Sequence, residues 1–228
     1  MDTIIEPFGV KENNSNGIDD GNLKTGSMVT AFVNAYYSNN GNIPVLAVSA
    51  SKGGSGINEW QPNTPYLNDA ISRLNSAKNF AVSRGYTIRH IFLVWCQGEH
   101  EGDTSTITDD EAYITSFETM FTALKAVGVE KCFLCRIGEY NGTGTDYSRV
   151  IEKQTELAKE NKDIVMVTTT LASFKSRGLM KDLFHFYQTG YNEMGEYAGI
   201  NAAYYVTTGK EPTMYDPKYN NLYYSKTN

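Results

Sequence analysis

IFLVWCQGEHEGD, from Ile91 to Asp103, begins as an apolar run and ends in Gln97-Gly98-Glu99. A short apolar run that stops at a glycine reads as a buried strand. This one does not end in a bare turn. It ends on an amide and a carboxylate, beside Trp95 and Cys96. Open α/β sheets bind their ligands at the carboxyl ends of parallel strands. The run therefore sets two expectations together: a parallel sheet, and a polar site at the end of one of its strands.

Working outward, four runs share this character: IPVLAVSAS (43–51), IRHIFLVWCQ (88–97), KCFLCRIGEY (131–140) and IVMVTTT (164–170). They are nearly continuous in apolar and β-branched residues instead of alternating, as strands buried on both faces are. Helical patterns separate them. TGSMVTAFVNAYYSN opens at a Thr/Gly/Ser cap. LNDAISRLNSAKNFAVSRG carries Ile71, Leu74, Phe80 and Val82 along one broad side and stops at Gly85. TDDEAYITSFETMFTALKAVG begins with Asp109 and Asp110, which favour a helix N-terminus. DYSRVIEKQTELAKEN follows the third run, and GYNEMGEYAGINAAYYVTTG comes last. Strand and helix alternate, so the fold class is α/β, a three-layer α/β/α sandwich with right-handed crossovers.

No repeat or linker divides the 228 residues, which read as a single domain, 1–228. The Tyr-rich segment 209–228 reads as a tail packed on that domain. With 40% apolar and 20% charged residues the chain can bury a core. The net charge of −6 and the lack of a basic stripe argue against nucleic acid as a partner. No apolar run reaches the roughly 18 residues of a membrane span, so no membrane partner is expected. The first residues, MDTIIEPFGV, carry no signal peptide, which points to the cytoplasm, or to secretion if the native N-terminus lies further upstream. Three cysteines make no disulfide framework. Cys132 and Cys135 lie three apart in a strand and so point to opposite faces. Two buried thiols are expected there, not a redox pair.

Three segments place polar chemistry just after apolar runs. In SASKGGSGINEW (49–60), Gly53 and Gly54 can turn amide N–H groups toward a bound oxygen. In WCQGEHEGD (95–103), Gln97 can donate two hydrogen bonds and Glu99 can accept several. In MKDLFHFYQTGYNEMGE (180–196), Asp182 precedes His185 by three. A carboxylate at that distance can hold Nδ1–H and leave Nε2 as a base. His90 reads as structural. A divalent-metal site from Glu99, His100, Glu101 and Asp103 is chemically conceivable, but the sequence supplies no further converging ligand, so no metal or other cofactor is expected.

Taken in order, SASKGGSGINEW, WCQGEHEGD and DLFHFYQTGYNEMG resemble the later blocks of the SGNH-hydrolase superfamily. They are most similar to its sialate O-acetylesterase / acetylxylan esterase branch, a carbohydrate esterase family 6-like group. The resemblance runs from about Glu6 through TGSMVTAF and TGKEPTMYDP. It implies a flavodoxin-like parallel sheet and an esterase that removes acetyl groups from sugars such as xylan or sialate. It implies His185 as general base and Asp182 as the residue orienting it. A backbone N–H at Gly53-Gly54 and the Gln97 amide would be the oxyanion donors. Glu99 would be a supporting anchor for Gln97 or for the histidine loop. Glu101 departs from the branch pattern, which commonly has Asp there.

The block that carries the nucleophile in this superfamily, a strand ending in a Gly-Gln-Ser-Asn-like turn, does not occur. Ser15-Asn16 follows no apolar run, Ser49, Ser51 and Ser55 lie in the glycine block, and Ser27 opens a helix. In the flavodoxin-like strand order that first strand lies inside the sheet, between 43–51 and 88–97. The expectation is a serine upstream of Met1, in a preceding segment or a complementary chain. Without it the chain would be a catalytically inactive carbohydrate-binding relative or fragment.

Overall fold

Three of the four expected strands form one parallel sheet in the computed structural model, which describes residues 26–104, 110–219 and 222–226. They are β1 (Phe92–Trp95), β2 (Lys131–Cys135) and β3 (Ile164–Thr168), in the order β1-β2-β3. Phe92 lies opposite Lys131 and Cys132 opposite Ile164. The pleat sorts their side chains between two cores. Leu93, Trp95, Cys132, Leu134, Ile164 and Met166 face one, while Phe92, Val94, Phe133, Cys135, Val165 and Val167 face the other. Cys132 and Cys135 thus sit on opposite faces, both fully buried.

Helices cover both faces. On one lie α1 (Val29–Asn39) and α6 (Gln188–Thr208). Their backbones approach closely because α6 meets α1 through Gly195 and Gly199. A Cβ at Gly199 would come 2.5 Å from the Phe32 carbonyl oxygen. On the other face lie α2 (Pro65–Ser83), α4 (Asp110–Ala126) and α5 (Ser148–Glu160). In α5 the buried stripe is Val150, Ile151, Gln154, Leu157 and Ala158, at the spacing of one helix face. A short helix, α3 (Glu99–Thr104), follows β1. No helix among the described residues is long and apolar enough to cross a membrane.

Two expectations are corrected. Residues 43–51 form no strand: they carry strand-forming residues, but a strand exists only with a ladder partner. Leu46 is 55% and Val48 42% exposed instead of buried. In α2 the inward side is Leu67, Ala70, Ile71 and Leu74, while Phe80 and Val82 are exposed.

The two outer strands are treated differently. β3 is buried throughout, and Asn201 Nδ2 and Lys226 Nζ donate to the carbonyls of Val167 and Ile164. β1 is only half-buried over Phe92, Leu93 and Val94, and no described strand pairs with its outer side. The C-terminal residues form an antiparallel pair, β4 (Met214–Asp216) with β5 (Leu222–Tyr224). Asp216 anchors it through a bidentate ion pair with Arg136, at 2.5 and 2.7 Å, just past the end of β2.

Candidate active site

The end of β1 is braced from two sides. The Gln97 carbonyl accepts hydrogen bonds from Tyr113 Oη (3.1 Å) and Gln154 Nε2 (2.6 Å). Gln154 Oε1 in turn accepts from the Ile137 amide just past β2. One buried amide thus ties the ends of two neighbouring strands together. Gly98 turns the chain at φ 148°, and a Cβ there would lie 2.8 Å from Val150 Cγ1 and 2.9 Å from Gln154 Nε2. Only glycine lets the chain pass this close to α5.

Beyond the turn, Gln97 Nε2 donates to the Ser55 carbonyl (3.1 Å) and to Glu101 Oε2 (2.5 Å). Glu101, only 2% exposed, also accepts from the Ile57 amide at 2.5 Å. It therefore clamps the end of the glycine segment to the end of β1. The carboxylate that holds Gln97 is Glu101, not Glu99. Gln97 Oε1 is buried with no hydrogen-bond partner among the described residues.

The histidine lies on a tight loop closed by an antiparallel bridge between Met180 and Phe186. Asp182 Oδ1 accepts from the amides of Phe184 and His185, both at 2.8 Å. The ring nitrogen His185 Nδ1 lies 2.9 Å from Asp182 Oδ2. Burial pushes the Asp182 carboxyl up, but the two amides and the His185 ring outweigh it and hold it below its ordinary value. The imidazole is half-exposed, and it is Nδ1 that meets Asp182. Asn141 fixes the loop from the β2 side, donating from its amide to Leu183 O and from its side chain to Asp182 O.

Glu99 feels the charges of both halves. Burial raises its carboxyl above the ordinary glutamate value and the Glu101 charge adds to the rise, while its own amide, that of Gly98 and His185 pull the other way. Glu99 thus lies in the electrostatic range of His185.

The other singled-out residues fall as follows. Gly53 and Gly54 form an exposed turn with open space at both Cβ positions, one residue before Ser55. Ser49 and Ser51 hydroxyls bond each other, and Ser55 Oγ donates to Lys52 O and accepts from Trp60 Nε1. Ser15 lies outside the described residues. His90 pairs with Glu130 at 2.9 Å. Trp60 and Trp95 are buried core residues in edge contact. Among the described residues no group of three or more His, Cys, Asp or Glu converges as metal ligands.

Sequence reasoning passed over Gln154 and underrated Glu101. Gln154 had a readable signal: it is a polar residue on the apolar stripe of α5. Glu101 had none, because its partners at 55–57 are brought to it only by folding.

Comparison with known proteins adds three findings. A family model described as carbohydrate esterase, sialic acid-specific acetylesterase, matches residues 8–203. A crystal structure of a protein from Arabidopsis thaliana superposes with a TM-score of 0.62 at 20% identity, covering 83% of this chain and 72% of that one. That likeness shows the fold alone. A search of curated proteins found no match.

Proposed function

We infer the function from one premise: the chain belongs to the carbohydrate esterase, sialic acid-specific acetylesterase family, whose activity in general terms is carbohydrate acetyl-ester hydrolysis. On that premise the Asp182–His185 pair is the base of a serine esterase acting on an acetylated sugar such as xylan or sialate. The observation that carries this reading is the 2.9 Å contact of His185 Nδ1 with Asp182 on a half-exposed ring in the field of Glu99. His185 Nε2 takes the serine proton as Oγ attacks the acetyl carbonyl. It then returns that proton to the departing sugar oxygen. Water attacks the acyl-enzyme by the same route and releases acetate.

A backbone N–H of Gly53-Gly54 and the Gln97 amide are the proposed oxyanion donors. Each donor of this kind is worth roughly 3–4 kcal/mol. Both hydrogens of Gln97 Nε2 are given to Ser55 O and Glu101, so Gln97 serves the oxyanion only by exchanging one of these bonds. The exposed glycine turn needs no such exchange.

The attacking serine is proposed to come from polypeptide preceding Met1, on a strand seated between β1 and residues 43–51. Two observations support this: the outer side of β1 lacks a described partner, and 43–51 carries strand residues without a ladder. An upstream coding sequence with no apolar strand and no Gly-x-Ser-Asn-like turn refutes it. In a polypeptide carrying that segment, His185→Ala should cut acetate release from an acetylated sugar about 100- to 10,000-fold. An undiminished rate overturns the assignment of the base. If a serine-reactive phosphonate leaves no adduct while the sugar still binds, the protein is a binding relative.

A further inference from the structure

We propose that Phe184 and Tyr140 form the face on which the pyranose ring of the acetylated sugar stacks, with the Tyr147 hydroxyl as a polar anchor behind it; this rests on the acetylesterase reading. Phe184 touches the His185 ring (centroids 6.3 Å apart) and the Tyr140 ring (5.4 Å), and Tyr140 touches Tyr147 (6.0 Å). Three aromatic rings therefore run in contact from the base toward the end of β1, where Tyr147 lies against Gly102 of α3.

Phe184 is 39% exposed although a buried alternative lies two residues on. Phe186, at 7% exposed, fills the core against Phe174. Phe184 is not exposed through slackness. Its amide is bonded to Asp182, and Asn141 holds the carbonyls of Asp182 and Leu183, the two residues before it. A large apolar side chain held rigidly toward solvent beside a base calls for a ligand with an apolar face. A pyranose has one in its axial C–H groups.

Tyr147 is an independent observation. It is 4% exposed, and its hydroxyl is buried with no hydrogen-bond partner among the described residues. Such an orphan donor is costly unless something occupies it. Burial raises its pKa, and the charges of Glu99 and Asp103 add to the rise, so it remains a donor at neutral pH. A sugar hydroxyl or acetyl oxygen is the complementary acceptor.

Binding tests the proposal without any need for turnover. Acetylated xylobiose and 9-O-acetyl-N-acetylneuraminic acid are titrated separately into the 228-residue protein and followed by NMR chemical shifts. At least one should bind, and the arm that binds identifies the pyranose. Phe184→Ala should weaken binding about 10-fold, and Phe184→Trp should restore it. Tyr147→Phe, which keeps the ring, should also weaken it. Unchanged urea midpoints show that the variants fold. Wild-type affinity in Phe184→Ala overturns the proposal, and so does failure of the wild-type protein to bind either probe. The two readings fail separately. Loss of binding in Phe184→Ala with no acetate release by any form keeps the sugar face and removes the esterase. Acetate release with binding indifferent to Phe184 does the reverse.

Discussion

Removing the Glu101 carboxylate should loosen the glycine segment from the end of β1, and the size of the effect follows from its partners. Glu101 is 2% exposed and accepts from Ile57 N and Gln97 Nε2, both at 2.5 Å. Glu101→Ala leaves both donors buried without an acceptor. Each such group costs about 1–3 kcal/mol. Loss of the buried charge offsets part of this, since Glu101 is one of the causes raising the Glu99 carboxyl. The lost bonds outweigh that relief, because they are short and charge-assisted. A net loss of about 2–4 kcal/mol is expected. Glu101→Gln keeps an acceptor for Ile57 but turns an amide against that of Gln97, so it should fall between wild type and Ala. Urea unfolding reads the order, with an unchanged m-value. In a Gln97→Ala background the cost should shrink, because one of the two orphaned donors is already gone. The Glu99 carboxyl, followed by carbon NMR, should titrate lower in both Glu101 variants. A loss in Glu101→Ala within about 0.5 kcal/mol, the range of surface substitutions, refutes the clamp.

Four further outcomes are expected. Asp216→Ala strands the Arg136 side chain, which is 0% exposed, and should cost about 3–5 kcal/mol in thermal or urea unfolding. Replacing both, as Arg136→Met with Asp216→Leu, should recover most of that loss. The Asp182 and Asp163 carboxyls are held below their ordinary value of 3.8, Asp182 by amides and ring against opposing burial, Asp163 by hydrogen bonds from Lys125 and Lys131. Their stabilisation is present above that value and is lost as pH falls below it through the folded values. Glu99 acts oppositely: its raised carboxyl destabilises the fold as pH rises from 4.5 through its folded value, and Glu99→Gln should remove that slope in urea midpoints taken across pH. Finally, Gly98→Ala drives a Cβ against Val150 and Gln154, while Gly144→Ala meets nothing within 4 Å. Calorimetry should show the first as the larger loss, by roughly 1–3 kcal/mol.

Local patterns carried much of the fold and the histidine half of the site. The runs at 88–97, 131–140 and 164–170 contain β1, β2 and β3, because burial on both faces leaves an apolar run that needs no partner to be recognised. Asp182 and His185 were legible as a pair because three residues of one tight loop bring carboxylate and ring within 3 Å whatever the rest of the chain does. Cys132 and Cys135 were separable for the same reason, the two-residue period of a strand.

What the sequence determined by itself was therefore short-range: which segments are apolar, where glycine permits a turn, and which polar groups lie near in the chain. Tertiary structure alone decided the rest. Residues 43–51 have strand composition but no strand, because a ladder needs a second chain segment alongside. Trp60 and Trp95 are core because neighbours distant in sequence cover them. The anchor of Gln97 is Glu101, not Glu99, because the Ser55–Ile57 segment is folded against that carboxylate across more than forty residues of chain. Hydrogen bonds of that span depend on where the backbone returns, and no periodicity in the sequence records it.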